Sequence, residues 1–173
     1  MEKRNSEDEA RAADPSGDLP QTPPAGRSIQ VAPVDLAQFR SWFPDMPDYV
    51  LVDFIYKNYA HRPERARALI PYYSRRRFSF GEVLVTPALF TPETRERLRA
   101  RTEGELTGFR DDARKHAAQR ARLEREGPPK EPLILRPRPD GMELIEGWHR
   151  TIQGLQLWPE GYRQPAWIEL PKR

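Results

Sequence analysis

Residues 133–150, LILRPRPDGMELIEGWHR, decide how this chain folds. Leu133, Ile134 and Leu135 read as a buried strand, Pro139-Asp140-Gly141 supplies a turn, and residues 142–145 return antiparallel. The returning strand runs straight into Gly-Trp-His-Arg, which reads as the start of a helix. A glycine at such a turn lets backbone come close to a ligand. The free N–H groups of the first helical turn attract anions, and His149 and Arg150 add donors there. The stretch is therefore a candidate phosphate site made of Gly147, His149, Arg150 and Thr151, the last through its hydroxyl.

Outward from this site toward the carboxyl end, Trp148, Ile152 and Leu155 fall at i, i+4 and i+7, which predicts one buried helix face and makes Trp148 an anchor. Pro159-Glu160-Gly161 ends that helix near residue 158, and residues 165–170 (PAWIEL) add a last strand. Toward the amino end, residues 93–126 hold ten basic and eight acidic side chains with few large apolar ones, chiefly Leu98, Leu106, Phe109 and Leu123. Thr91 is the expected cap, with Pro92 at the first helical position. Glu93 with Arg97 and Asp111 with Lys115 are i,i+4 pairs that support a solvated helix, while Gly104 and Gly108 predict a bend or break in it. Its sparse apolar stripe could pack on the body, on a protein partner or on a second copy of the chain.

Residues 34–60 place Leu36, Phe39 and Phe43, then Val50 and Phe54 and, with a small drift, Tyr49 and Ile55 at helical spacing. Two helices fit, broken near Pro44 and Pro47, with Asp48 as cap of the second and a third short segment at residues 64–70. This aromatic density reads as core. Residues 61–80 carry six Arg (62, 65, 67, 75, 76 and 77) against Glu64, interleaved with Tyr72, Tyr73, Phe78 and Phe80. Such clustering suits a nucleic-acid backbone, with Arg75, Arg76 and Arg77 as the densest candidates, while the bland account is a solvated face paired to acids elsewhere. Residues 82–85 read as a short edge strand before Thr86-Pro87.

Composition narrows the function classes. Four Trp and seven Phe in 173 residues, with 37% hydrophobic content, support a folded body. The absence of Cys excludes disulfides, thiolate zinc ligands and thiol catalysis. No stretch approaches the roughly 20 apolar residues of a membrane span, and the amino terminus lacks a signal-peptide core, so a soluble cytoplasmic protein without membrane contact is expected. Residues 1–30 read as a disordered, acidic, Pro-rich tail. Its first 26 residues hold three basic and six acidic side chains, leaving 26 basic against 20 acidic beyond them. That excess permits nucleic-acid contact without demanding it. His61, His116 and His149 are widely spaced and read as lacking the i,i+4 or carboxylate arrangement of a metal site, and no catalytic base is identified.

The order of strand, Pro-Asp-Gly turn, strand ending in Leu144-Ile145-Glu146-Gly147, basic pair opening a helix and closing Gln-Pro-Ala-Trp-Ile strand resembles the ParB/sulfiredoxin-like superfamily. Pro132-Leu133-Ile134-Leu135-Arg136-Pro137, Asp140-Gly141-Met142-Glu143 and Trp148-His149-Arg150 look like the segment where ParB proteins carry a Gly-Glu-Arg-Arg box and sulfiredoxins a Gly-Cys-His-Arg box. The resemblance covers about 40 residues well, and residues 80–92 only loosely. It implies an α+β fold in which a small mixed sheet forms the core at residues 78–173, here preceded by a helical extension at residues 31–77 and containing the long charged helix. It also implies nucleotide phosphates held at Gly147, His149 and Arg150. Trp148 stands where sulfiredoxins have their Cys, so sulfiredoxin chemistry is not expected. Nor is a ParB-type helix-turn-helix expected after the box, since the sequence stops at Arg173.

Three functions follow as expectations. The first is a domain that binds nucleotide or nucleic-acid phosphates, with a nucleoside triphosphate and Mg²⁺ as its cofactor and Glu143 or Glu146 near the metal. The second is a DNA-binding or nuclease-like protein using the Arg62 to Arg77 region, and the third an adaptor that has lost its ligand.

Overall fold

The computed structural model describes residues 34–104 and 112–173. The expected hairpin forms as β2 (Leu133–Arg138) and β3 (Gly141–Glu146), antiparallel across the Pro-Asp-Gly turn. Helix α8 (Trp148–Leu157) follows at once, and β4 (Tyr162–Pro171) comes back parallel to β2, as a helical crossover requires. A further strand, β1 (Arg76–Val85), pairs antiparallel along the whole of β4, so the order is β1-β4-β2-β3. The fold is α+β with a four-stranded mixed sheet. β1 is an edge strand, as expected, but it has ten residues and begins inside the arginine cluster.

Both faces of the sheet are covered, and the two-residue period of the strands sorts the side chains between them. Leu133 and Leu135 of β2, Leu144 of β3 and Ala166 of β4 face α8 and α6 (Pro92–Thr102), packing with Val85, Phe90, Leu98, Trp148, Ile152 and Tyr162. Their neighbours Ile134, Ile145 and Trp167 point the other way, into a second cluster built by the amino-terminal helices. An unbroken Leu-Ile-Leu run is what a central strand needs when neither face meets water.

The amino-terminal layer is a chain of short helices: α1 (Leu36–Trp42), α2 (Asp48–Val50), a π-helical turn (Leu51–Tyr56), α3 (Lys57–Tyr59), α4 (Pro63–Ala68) and α5 (Ile70–Tyr73). Asp35 caps α1 by accepting a hydrogen bond from the N–H of Ala37 (3.2 Å). The break falls at Pro44 and Pro47, and Pro47 rather than Asp48 sits at the cap position, with Asp48 in the first turn paired to Arg40. The π-helical turn accounts for the drift in the apolar spacing, because its wider turn brings Leu51 and Ile55 as well as Val50 into the core. Phe39 and Phe43 are buried with them.

The charged region forms two helices. Thr91 caps α6 through its hydroxyl, which accepts from the Thr94 N–H (3.1 Å), and α7 (Asp112–Glu126) follows after the Gly104 region. The latter packs on α8 and buries Leu123. Among the described residues no helix is long and apolar enough to cross a membrane. The expected tail at residues 1–30, and Leu106, Gly108, Phe109 and Asp111, lie outside the described residues.

Candidate anion-binding cleft

The end of β3 and the first turn of α8 form the floor of a cleft of about 600 Å³, a volume in the range of small-ligand sites. Its walls come from the amino-terminal layer and from four further elements. The amino-terminal layer contributes Phe54, Lys57, Asn58, Tyr59, Arg62 and Arg65; α6 contributes Arg97 and Arg101; α7 contributes Lys115; and β3 and α8 contribute Ile145, Glu146, Trp148 and His149. Six cationic side chains thus converge on a wall that, among the described residues, holds one carboxylate, Glu146. Lys57 lies 3.6 Å from Glu146. Arg97 stacks over the Trp148 ring at 4.7 Å and Arg101 approaches the same ring at 5.4 Å. Indole and guanidinium attract face to face, so the buried Trp148 also positions the two arginines one helical turn apart.

Behind Arg101 lies a buried polar cluster. The Arg101 guanidinium donates to both Asp112 oxygens (3.0 and 2.9 Å), and the same Asp112 Oδ1 lies 2.8 Å from His149 Nε2. Arg101 Nη2 is 3.1 Å from that nitrogen. His116, one turn along α7 from Asp112, has its ring centroid 5.2 Å from that of His149. Burial opposes charge on Asp112, but the hydrogen bonds from Arg101 and His149 outweigh it and hold the carboxyl at about 2. Burial is also the main influence on the two imidazoles and pushes both below the usual histidine value.

The residues named from the sequence are placed as follows. Gly147 adopts φ +110° and begins α8, but the space where a Cβ would stand is taken by Leu133 Cδ2, 2.4 Å away, so the close approach there is a packing contact. His149 lines the cleft. Arg150 turns inward, donating to the Pro132 carbonyl (3.0 Å) and to the Tyr49 hydroxyl (3.4 Å), which ties α8 to β2 and the amino-terminal layer. Thr151 is fully buried beside the Tyr162 phenol. Among Arg75, Arg76 and Arg77, none lines the cleft. Arg76 lies over the Tyr72 ring at 4.5 Å and pairs with the buried Glu169 (3.6 Å), while Arg75 and Arg77 are exposed. Glu143 pairs with Arg136 and Arg138.

The basic stretch at residues 61–80 is thus divided. Arg62 and Arg65 face the cleft, Arg67 stacks on Trp42, and Arg76 belongs to the core edge. Lys57, Arg97, Arg101 and Lys115 were not read from the sequence as site residues, because their convergence with His149 on one cleft is a property of the fold. The reading of the histidines requires correction. Asp112 and His116 are an i,i+4 pair on α7, and the fold adds His149 to them. An Asp-x-x-x-His spacing on a helix was a legible signal. No protein family, curated protein or solved structure matches the chain.

Proposed function

We propose that the protein binds the phosphate groups of a nucleotide or nucleic acid in this cleft. The convergence of six cationic side chains from separate elements around the first turn of a helix carries the reading. The positive end of the α8 dipole adds to their field. Lys57 and Arg101 have acidic partners in Glu146 and Asp112, and among the described residues Arg62, Arg65, Arg97 and Lys115 add further positive charge to the lining. The resemblance of residues 132–150 to the ParB/sulfiredoxin-like superfamily supports the same location. Within it, His149 is the box residue that faces the ligand, and Arg150 acts as a strut beneath the site. The Trp148 ring, already flanked by two guanidiniums, is the floor. A Mg²⁺ ion carried by a triphosphate has Glu146 as the carboxylate within the wall.

The test is a thermal-shift titration with ATP, CTP, GTP and a short DNA duplex, with and without Mg²⁺, since a ligand that binds only the folded state raises Tm. The double variant Arg62→Ala, Arg65→Ala changes two exposed residues and is expected to fold normally while losing the shift. A shift with one nucleotide, abolished in this variant, supports nucleotide binding. A shift with the duplex alone, falling steeply with salt, transfers the site to nucleic acid. A shift that the double variant retains in full, or no shift with any ligand, refutes the cleft as the site.

A further inference from the structure

The cluster behind Arg101 has a chemistry of its own. Asp112, His116 and His149 each offer one ligand atom, and these three atoms lie within 4.8 Å of one another. Two come from successive turns of α7, so a single helix fixes their spacing; the third comes from the first turn of α8, which packs against it. We propose that Asp112, His116 and His149 bind one divalent transition-metal ion of the zinc type at the wall of the cleft.

Three observations carry this. First, Asp112 Oδ1 and His149 Nε2 stand 2.8 Å apart, a hydrogen-bond contact whose proton a shared cation would replace. Second, His116 Nε2 is enclosed by protein and has no hydrogen-bond partner among the described residues. A buried ring nitrogen left without a partner is costly, and a metal ion bound through it would supply that partner. Third, two imidazole nitrogens with one carboxylate oxygen match the donor set of Zn²⁺ and its neighbours and not the all-oxygen preference of Mg²⁺ or Ca²⁺.

Arg101 now neutralises Asp112, and its Nη2, 2.9 Å from Asp112 Oδ1 and 3.1 Å from His149 Nε2, competes with the metal at both atoms. The competition is only partial. Arg101 Nε bonds the other oxygen, Oδ2, at 3.0 Å, and this contact can persist while Oδ1 turns to the metal. The guanidinium then becomes the outer partner that orients a ligating carboxylate. Three protein ligands leave a tetrahedral ion with one open position, and one of the three, His149, also lines the cleft. The metal site shares His149 and Arg101 with the proposed phosphate site but uses none of Lys57, Arg62, Arg65, Arg97 or Lys115, so the two can be tested apart.

The experiment is calorimetric titration of untagged, chelator-stripped full-length protein with Zn²⁺ in phosphate-free buffer, repeated with Mg²⁺ and Ca²⁺. Co²⁺ absorption serves as a spectroscopic probe. One Zn²⁺ per chain is expected, with binding at least about tenfold weaker in His116→Ala, visible Co²⁺ bands lost in that variant, and no competition from Mg²⁺ or Ca²⁺. His116 lies outside the cleft lining, so nucleotide binding in the variant reports on the phosphate site separately. His116→Gln, which keeps a polar side chain, replaces the alanine variant if circular dichroism shows the latter unfolded. Zinc binding that is unchanged in the folded His116 variant, or absent from the wild type, overturns the proposal.

Discussion

The substitution Gly147→Ala separates two meanings of the glycine in the box. If its role were to let a ligand approach the backbone, an added methyl would damage binding and spare stability. The structure predicts the reverse order. At φ +110° an L side chain is strained, which costs about 1–2 kcal/mol for a left-handed residue. The new Cβ would also stand 2.4 Å from Leu133 Cδ2 and 3.3 Å from Arg150 Nη2. Leu133 is fully buried in the central strand and cannot retreat without disturbing the packing around Leu135, Trp148 and Ile152. Overpacking of this kind costs about 1–3 kcal/mol. The sum is about 2–5 kcal/mol, a large part of the stability of an ordinary domain. Urea denaturation monitored by tryptophan fluorescence measures it. A cycle with Leu133→Ala gives a second handle. The double variant removes the obstructing methyl, so the cost of alanine at position 147 should fall by about 1–3 kcal/mol in the Leu133→Ala background. If Gly147→Ala is as stable as the wild type, or if the two substitutions are additive, the packing explanation of this glycine is wrong.

Three further outcomes are expected. Arg150→Ala should destabilise by about 1–3 kcal/mol, through the lost bonds to the Pro132 carbonyl and Tyr49; an unchanged denaturation midpoint together with lost ligand affinity would restore Arg150 to the binding site. Glu169→Gln should destabilise by about 3 kcal/mol, because this side chain, 1% exposed, accepts two hydrogen bonds from Arg136 (3.1 and 2.9 Å) and one from Tyr72, and glutamine keeps one acceptor oxygen but leaves the buried Arg136 without its counter-charge there and turns an amide donor toward a guanidinium. A change below about 0.5 kcal/mol in urea would show that the network contributes little. At alkaline pH, burial pushes the Tyr73 and Tyr162 phenols far above the ordinary value of 10.0. The folded state therefore keeps protons that the unfolded chain releases, so their contribution is fully present below pH 10 and is lost as pH rises above it. In an ultraviolet titration these two phenolates should appear only with unfolding, and their appearance near pH 10 in the folded protein would contradict their burial.

What the sequence disclosed depends on whether the physics was local. The hairpin and helix of residues 133–157 were legible because turn chemistry, a doubly buried apolar run and the i, i+4, i+7 spacing of Trp148, Ile152 and Leu155 all act over a few residues. The break of the charged region near Gly104 was legible for the same reason. The length of β1 was not, since Arg76 and Arg77 look solvated until Glu169, on the partner strand, supplies a buried counter-charge for Arg76. The inward turn of Arg150 was equally hidden. Its acceptor is a carbonyl 18 positions away, and its second contact is Tyr49 at 101 positions. The Arg101–Asp112–His149 cluster spans three helices and a chain separation that no periodicity encodes. Only its Asp112–His116 half lay within one helix turn.

The location of the cleft follows from how the sheet is covered. A hairpin followed by a crossover helix leaves one sheet face, carrying Ile134, Ile145 and Trp167, without a partner, and the amino-terminal layer closes it. That layer lines the cleft as much as it fills the core, since Lys57, Arg62 and Arg65 share its wall with residues of α6, α7 and α8. The α8 start alone offers one histidine and a few backbone N–H groups; the opposing layer and α6 convert it into a strongly positive cavity. Charge complementarity in this protein is therefore assembled by tertiary packing around a short local motif. On this reasoning, neutralising Arg62 and Arg65 should weaken a phosphate ligand as much as changing the motif residue His149, although neither arginine belongs to the motif.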